Sequence, residues 1–435
     1  MIDLFTSLLQ ILAKGRICVC QHPGRRARPI GVFTVTGRIG GGSSARTSPN
    51  GIYPAYRGAN QVGLRASNER LALSLIRIHG QLSKAQIAEI TGLTKQTASV
   101  IVRSLEAEGL LSAGRPVKGK VGQPSVPMSI NPEGALFLGL RLGLRHADIA
   151  LVDFVGGVLE QRRLSYGAGE MGEIARIAYT AIAEMRSRLT AAQHARLEDI
   201  GIAVASDILA AVANGKGTDG PESAWAEFED LALQMGKETH LSIYLDRDAV
   251  AACSAELAYG LAGGAPDFLY IFIGHLLDGG IVQHGRLGFS RRDARPGIGR
   301  ILVPSASGGV APLGTSVSVD DVGLAPGSRA PDPELRKWIE ATSSSISMAV
   351  HSASALATFR GIVLDGLMPQ WVRAELVREI REKLSAIGAS DLAALFVREG
   401  TSDRQAAGLG AACIPLLDRF FLQSDANGPA GSAEA

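Results

Sequence analysis

The chain has 435 residues, 46% of them hydrophobic and 20% charged, which is enough apolar sequence to bury the cores of two or three domains. Its formal net charge of +2 excludes a chain that is basic throughout, so any contact with nucleic acid must come from a local patch. The four cysteines are too few and too scattered for a disulfide framework or a four-thiolate metal site, and they fit a reducing, cytoplasmic setting.

The first 54 residues carry no strong fold signal. Residues 2–12 are mostly apolar, but a membrane span needs about 20 apolar residues, and the positive charges follow this run instead of preceding it as in a signal peptide. The glycine- and serine-rich stretch at 40–51 is typical of unstructured chain. We therefore expect a disordered leader over residues 1–54; a mis-set start codon and a basic arm that assists DNA binding are the alternatives.

Two amphipathic helices are predicted at residues 68–79 and 84–90, each with its apolar side chains on one face. Those side chains are Leu71, Leu75 and Ile78 in the first helix and Ile87 and Ile90 in the second. A tight turn follows at residues 91–93, where Gly92 can take the positive φ that such a turn needs.

A third helix is predicted from Thr94 to about Glu108. The Thr94 hydroxyl can cap it by accepting a hydrogen bond from a first-turn N–H, and Ala98, Val102 and Leu105 follow the spacing of an inward face. The polar side chains that could reach base edges or phosphates in a major groove are Thr94, Lys95, Gln96, Thr97, Ser99 and Arg103. This order indicates a helix-turn-helix whose third helix is the recognition helix; the alternative is a helical hairpin beside a solvated basic loop.

A basic loop comes next, because no acidic residue occurs between residues 110 and 123. Arg115, Lys118, Lys120 and Gln123 stand there among glycines and prolines. Such a segment is typical of the wing of a winged helix, whose flexible basic tip contacts phosphates or the minor groove.

The character of the sequence changes after a proline-bearing link at residues 124–132. Strands are predicted at 135–142, 147–154 and 158–164, a helix at 171–189 and a strand at 200–205. The later strands are predicted at 268–273, 280–283, 361–364 and 392–397, and the later helices at 334–358, 370–387 and 404–421. This recurring order predicts an α/β architecture of two halves with a cleft between them. The expected organisation is a DNA-binding domain at 55–129, a two-lobed domain at 130–423 and a disordered tail at 424–435.

Several segments resemble the ROK family (repressor, open reading frame, kinase), and together they span about residues 58–421. The matching segments are NERLALSLIRIHG at 68–80, KGKVGQPSVPMSINPEG at 118–134, LDRDAVAACSAELAYG at 245–260, LYIFIG at 269–274, GIVLDG at 361–366 and AAGLGAA at 406–412. The resemblance implies a winged helix-turn-helix joined to a sugar-kinase-like domain of the actin-like ATPase (ribonuclease H-like) fold. Gln123 stands where relatives often carry a minor-groove arginine, so Lys118 and Lys120 are expected to supply the charge of the wing.

The kinase-like half departs from the family pattern at the positions that bind phosphate. Arg141 and Arg145 replace the acidic and hydroxyl residues of the first phosphate hairpin. The second loop reads GHLLDGG at residues 274–280, where leucines and a repelling carboxylate replace small donors. Phosphate loops need close backbone approach and aimed N–H groups, and neither loop keeps that chemistry. Residues 286–312 contain no cysteine or histidine, so the family's zinc site and its sugar clamp are both missing and no metal is expected.

Asp248 matches the carboxylate that, in family kinases, accepts the proton of the sugar hydroxyl. Its neighbour Arg247 stands where relatives carry asparagine and could neutralise it by pairing. These two residues are the predicted ligand-binding positions. The alternative is that Asp248 only caps a helix that begins at Ala249.

Two other groupings are alternatives with weaker support from their spacing. His275, Asp278 and His284 could hold a metal, and Asp246 with Asp248 could form an acid/base pair.

These features predict a cytoplasmic transcription regulator that represses carbohydrate-related genes and has no enzymatic activity and no cofactor. Its expected partners are a double-stranded DNA operator, a sugar or sugar-phosphate effector, and further copies of the chain in a homodimer or a dimer of dimers, without any membrane. Two alternatives stay open. One is an ATP-dependent sugar kinase, favoured by Asp248 and the implied fold, and the other is a DNA-binding scaffold without a ligand.

Overall fold

A computed structural model of the protein describes part of the chain. The described residues are 61–117, 125–167, 170–216, 221–260, 267–283, 286–287, 297–305, 308–319, 333–388, 390–401 and 407–421. The predicted leader, the predicted tail and the tip of the predicted wing lie outside these residues. No helix in the described ranges is long and apolar enough to cross a bilayer.

The N-terminal described region is a winged helix. Its elements are α1 (Gln61–His79), β1 (Leu82–Ser83), α2 (Lys84–Thr91), α3 (Lys95–Ala107), β2 (Leu111–Ala113) and β3 (Pro127–Ile130). The strands form an antiparallel sheet in the order β1-β3-β2, so β2 and β3 are the two arms of a hairpin. The predicted helix-turn-helix and the arms of the predicted wing are thereby confirmed.

The buried faces of α1 and α2 differ from the prediction. In α1 the fully buried apolar residues are Ala72, Leu73 and Ile76, whereas Ile78 is 57% exposed. In α2, Ile87 is buried as predicted but Ile90 is 49% exposed. The predictions for Ile78 and Ile90 are wrong because the apolar residues of these segments cover more than one helix face, and packing partners, not spacing, select the face that is buried.

The first lobe of the larger region contains one mixed sheet. Its elements are β4 (Leu136–Leu142), β5 (His146–Asp153), β6 (Val158–Ser165), α4 (Met171–Ser187), α5 (Ala191–His194), β7 (Leu197–Val204), α6 (Ser206–Lys216), α7 (Pro221–Thr239), β8 (Ser242–Arg247) and α8 (Asp248–Tyr259). The strand order is β6-β5-β4-β7-β8, antiparallel from β6 to β4 and parallel from β4 to β8. The prediction missed α6, α7 and β8.

The second lobe repeats this arrangement. Its elements are β9 (Phe268–Ile273), β10 (Leu277–Gln283), β11 (Arg286–Leu287), β12 (Leu302–Pro304), β13 (Val310–Pro312), α9 (Leu313–Ser316), α10 (Pro333–Ser354), β14 (Gly361–Gly366), α11 (Gln370–Ala386), α12 (Ser390–Ala393), β15 (Phe396–Glu399) and α13 (Ala407–Phe420). The sheet order β11-β10-β9-β14-β15 has the same pattern of antiparallel and parallel neighbours as the first lobe. The two predicted α/β halves are confirmed. The predicted strand at 392–397 lies partly in α12, and the strand itself is β15.

The C-terminal helix α13 returns to the first lobe and packs on α8 and on the face of β4, β5 and β7. Glycines make this close approach possible. A side chain at Gly139 of β4 would collide with the backbone of Gly408, and one at Gly201 of β7 would collide with that of Ala411. These contacts place α13 against the first-lobe sheet, with α8 packed on α13.

One apolar cluster joins the winged helix to the first lobe. It contains Leu73 and Ile76 of α1 together with Phe137, Phe154 and Phe421 of the larger region. Phe154 lies 4.8 Å, ring centre to ring centre, from Phe420 in an edge-on contact. Residues Ala59–Ala435 accordingly form one compact unit.

Candidate DNA-binding surface and interlobe site

Side-chain caps at the ends of α2 and α3 fix the geometry of the helix-turn-helix. Ser83 caps α2 in a capping box, in which its hydroxyl accepts from the Gln86 N–H at 3.3 Å and the Gln86 side chain accepts from the Ser83 N–H at 2.9 Å. Gly92 ends α2 with a φ of +70°, as the sequence predicted. Thr94 caps α3, and its hydroxyl accepts from the Thr97 N–H at 3.1 Å, also as predicted.

The recognition helix α3 presents the predicted two faces. Ala98, Val102 and Leu105 are buried, while Lys95, Gln96 and Arg103 are exposed and Thr97 and Ser99 are partly exposed. The Thr94 and Thr97 hydroxyls lie 2.9 Å apart, so the cap engages both of them. Of the predicted contact residues within α3, Lys95, Gln96 and Arg103 are therefore the most available to a partner.

The prediction overlooked Val100, which is 54% exposed on the same helix. Gln96, Val100 and Arg103 follow one another at spacings of four and three residues, so they form one stripe along α3. A branched apolar side chain between two polar ones can contact the methyl group of thymine. A β-branched residue on the polar side of a helix is a sequence signal that could have identified it.

The wing is described only at its base. Beyond β2, a backbone bridge pairs Val117 with Ser125 and continues the hairpin, and Arg115 is exposed. Lys118, Lys120 and Gln123 lie in the tip, outside the described residues.

A buried cation lies in the first lobe where the family's phosphate hairpin is expected. Arg141, in the sixth position of β4, is only 7% exposed. Its Nη2 donates to Oδ2 of Asp248 at 3.2 Å, and its Nη1 lies 4.0 Å from Oδ2 of Asp148 on the neighbouring strand β5. Oδ1 of Asp148 accepts from Nε of Arg163 at 2.6 Å. We call Arg141, Asp148, Asp207, Asp248 and His275 the interlobe site.

The two lobes meet at this site through a contact between His275 and Asp207. Nε2 of His275, which follows β9 in the second lobe, lies 3.0 Å from Oδ2 of Asp207 in the first turn of α6. Burial raises the pKa of Asp207, but the hydrogen bond and charge of His275 and the charge of Arg141 outweigh it, so the pKa is lowered. Asp207 is therefore held in its charged form.

The pKa of Asp248 is shifted in the opposite direction, upwards. Burial raises the pKa of its carboxyl, and the attraction of Arg141 offsets this only in part. Burial likewise lowers the pKa of His146, whose Nε2 lies 3.5 Å from Oδ2 of Asp148. The site thus contains charged groups that are paired with one another and largely withdrawn from water.

Two expectations for the Asp248 region are wrong. The N-cap of α8 is Arg247, the helix begins at Asp248 itself, and the Asp248 carboxylate is directed to Arg141. The partner of Asp248 is therefore not Arg247, whose guanidinium lies 5.6 Å from the ring centre of Trp225. Adjacent residues at a helix start project in different directions, and this separates the two side chains.

The structure tests the two alternative groupings only in part. His275 pairs with Asp207, and His284 lies outside the described residues. Over the described ranges no three His, Cys, Asp or Glu side chains are grouped so as to hold a metal ion. Oδ1 of Asp246 accepts from the N–H of Arg247 at 2.7 Å, so a backbone contact engages the carboxylate suggested as a partner for Asp248.

The sequence matches two family profiles. Residues 63–120 match the MarR family, and residues 137–307 match the ROK family. The first match covers the winged helix, and the second covers the first lobe and the beginning of the second lobe.

Several proteins are similar to the chain. It is 25% identical over 225 residues to the putative xylose repressor of Caldicellulosiruptor sp. (strain Rt8B.4), a match that covers 51% of this chain and 55% of the relative. It is 24% identical over 387 residues to the uncharacterized protein y4fQ of Sinorhizobium fredii (strain NBRC 101917 / NGR234), with 84% and 94% covered. The chain thus spans about half the length of the first of these relatives and nearly all of the second.

Among solved structures, the chain is similar to that of a ROK family transcriptional regulator, a homolog of the E. coli MLC protein. The TM-score is 0.59 at 18% identity, with 82% of this chain and 97% of the other covered. At this level of identity the comparison shows the fold alone.

Proposed function

We propose that this chain, which joins a MarR-type helix-turn-helix domain to a ROK domain, is a DNA-binding transcription regulator that represses sugar-related genes. The observation that carries the proposal is a winged helix whose helix α3 exposes the stripe Gln96, Val100 and Arg103. The similarity to a putative xylose repressor supports the link to sugar genes. The proposed partner is double-stranded DNA, and the proposed location is the cytoplasm. Further contacts to DNA are proposed for Thr94, Lys95, Thr97, Ser99 and the wing.

The larger domain acts in this proposal as a sensor and dimerisation domain and not as a kinase. A general base must be free to accept a proton from its substrate. Asp248 instead is buried against Arg141, which occupies the place where family kinases carry an acidic residue. A sugar or sugar-phosphate effector is proposed to bind between the lobes, near Arg247 and Asp248, and to change operator affinity by shifting their relative positions. The proposed domain limits are residues 55–129 and 130–423.

Selection of binding sites from random duplex DNA tests the DNA-binding part of the proposal. The full chain should enrich a defined sequence, and a symmetric repeat would support binding as a homodimer or a dimer of dimers. Recovery of unenriched DNA, or of none, would contradict it.

The role of the larger domain is tested on the selected duplex. D-xylose and a panel of sugars and sugar phosphates are titrated by calorimetry and in gel shifts. A compound that binds and changes operator affinity supports a sensor, whereas binding of none supports a ligandless scaffold. ATP turnover with the same sugars tests the kinase alternative, and phosphorylation that Asp248→Asn abolishes would overturn the proposed absence of catalysis.

A further inference from the structure

Helix α8 contacts three parts of the molecule at different points along its length. Its first residue, Asp248, is paired with Arg141 in the interlobe site. Its twelve residues give a length of about 18 Å at 1.5 Å per residue. The other end of α8 therefore lies well away from the interlobe site, on the side where the winged helix packs.

The far end of α8 is bound by an arginine of the winged helix. Nη1 of Arg77, near the end of α1, donates to the carbonyl oxygens of Leu257 at 2.9 Å and Ala258 at 2.6 Å. The last four carbonyls of a helix lack partners within it and carry partial negative charge, so a cation there satisfies both needs. The Arg77 guanidinium also lies 4.8 Å from the ring centre of Phe421.

Both bonds of Arg77 to α8 come from a single nitrogen, Nη1. The side chain of Arg77 is partly buried, and its Nε, which is withdrawn from solvent, has no hydrogen-bond acceptor within the described part of the chain. A buried donor without an acceptor is unfavourable, so this side chain is held by its two carbonyl contacts and by packing. A small displacement of α8 would therefore also displace Arg77 and the end of α1.

A third contact ties α8 to the second lobe. Glu256 is 2% exposed, and its Oε2 accepts from the backbone N–H of Thr401 at 3.0 Å and from the Thr401 hydroxyl at 2.6 Å. Thr401 follows β15 of the second lobe. This contact with the second lobe lies beside the carbonyls that Arg77 binds.

The winged helix has a second, separate attachment to the first lobe. Nη1 of Arg196, just before β7, donates at 2.8 Å to the carbonyl oxygen of Glu108, the C-cap of the recognition helix α3. A cavity of about 230 Å³ beside it is lined by Glu108, Phe137, Arg196 and Arg419, among others. With α1 attached to α8 and the end of α3 attached to the lobe, a shift of α8 would tilt α3.

We propose that α8 couples the conformation of the interlobe site to the orientation of the winged helix. In this coupling, Arg77 is the residue of the winged helix that links it to the end of α8. Arg77 is a positioning residue in this inference and does not contact DNA. The inference rests on the proposed function, since it explains how that function is regulated.

A double-mutant cycle at the two ends of α8 tests this with the full chain and the duplex that the wild-type protein selects from random DNA. Asp248→Asn perturbs the interlobe site without changing the size of the side chain, and it should change the Kd for the duplex about 5-fold or more. In an Arg77→Met background the same substitution should change it less than about 2-fold. Arg70→Met is the matched control, because Arg70 lies two turns earlier on α1 and makes neither contact to α8, and it should leave the effect of Asp248→Asn intact.

Persistence of the Asp248→Asn effect without Arg77, or its absence from the wild-type background, overturns the inference. If Arg77→Met does not fold, Arg77→Gln replaces it, because its shorter and uncharged side chain should not hold the two carbonyls that Nη1 binds; the effect of Asp248→Asn should then shrink at least about twofold. Hydrogen exchange gives a readout without DNA. Asp248→Asn should alter amide exchange in α1 only when Arg77 is present, so a chain that selects no duplex would refute the proposed function while this coupling could still be confirmed or refuted.

Discussion

Arg141 is the residue on which the interlobe site depends. It is the shared cationic partner of Asp148 and Asp248, and all three side chains are nearly buried. A buried charge without a partner destabilises a fold strongly, because its desolvation is no longer compensated. Arginine at this position therefore neutralises carboxylates that belong to the site itself.

Arg141→Met should lower the free energy of unfolding by about 3–5 kcal/mol, since it leaves the buried Asp248 carboxylate without its cation, while Asp148 keeps its contact with Arg163. Urea denaturation measures the change. Arg145→Met, at the exposed neighbouring arginine, is the control and should stay within about 0.5 kcal/mol of wild type. Equal midpoints for the two variants would show that the ion pairs do not stabilise the lobe.

Asp248 should make stability depend on pH in a defined direction. Because burial raises its pKa above the ordinary value of 3.8, the folded protein holds this proton more tightly than the unfolded chain does. Its contribution to stability is therefore complete below that value and is lost as pH rises through the folded pKa. The melting temperature of Asp248→Asn minus that of wild type should therefore become more positive from pH 4 to pH 7. A difference that is constant with pH, or that changes in the opposite direction, would contradict this assignment.

At the scale of the element, α3 carries two sets of residues. One set holds the helix in place, and the other is exposed and can contact DNA. Its cap at Thr94 and its buried face fix the helix, while Gln96, Val100 and Arg103 stand along one exposed stripe. Gln96→Ala should change the preferred base at one operator position, at a cost of about 1–3 kcal/mol. Repeated site selection measures the preferred base. Gln81→Ala, at an exposed glutamine outside α3, is the control. An unchanged base preference in the Gln96 variant would contradict the proposed placement of α3 on DNA.

The wing should act through charge alone. Lys118→Ala and Lys120→Ala should weaken binding to every duplex and lower the slope of log Kd against log salt concentration by about 0.9 for each phosphate that is no longer neutralised. Gel-shift titrations at several salt concentrations measure the slope. Lys237→Ala, an exposed lysine on α7 of the first lobe, should leave it unchanged. A weakening in the wing variants that depends on sequence would point to base contacts instead.

At the scale of the whole molecule, the shared apolar cluster should make the winged helix and the first lobe unfold together. Leu73→Ala, in α1, should cost about 2–5 kcal/mol and increase amide exchange in both regions. Leu376→Ala in the second-lobe cluster is the matched control and should leave exchange in the winged helix unchanged until global unfolding. If Leu73→Ala affects the winged helix alone, the cluster does not couple the two regions.

The sequence by itself determined the features that depend on neighbouring residues. The turn at Gly92, the cap at Thr94 and the buried face of α3 are local in the chain, so composition and spacing specify them. The repeated order of strands and helices was also predictable, because helices and strands differ in the spacing of their apolar residues. The resemblance to the ROK family added the expectation that Arg141 and Arg145 replace phosphate-binding residues.

Only the tertiary structure decided which distant groups meet. The partner of Asp248 is Arg141, 107 residues away, and not the adjacent Arg247, because a strand end and a helix start converge there while neighbouring side chains diverge. The buried face of α1 was likewise set by its packing partners. The link from Arg77 to the last carbonyls of α8 leaves no trace in the sequence, since an arginine in an amphipathic helix is ordinarily a solvated charge and any helix ends in free carbonyls. Contacts of this kind depend on where elements lie in space, which local patterns do not encode.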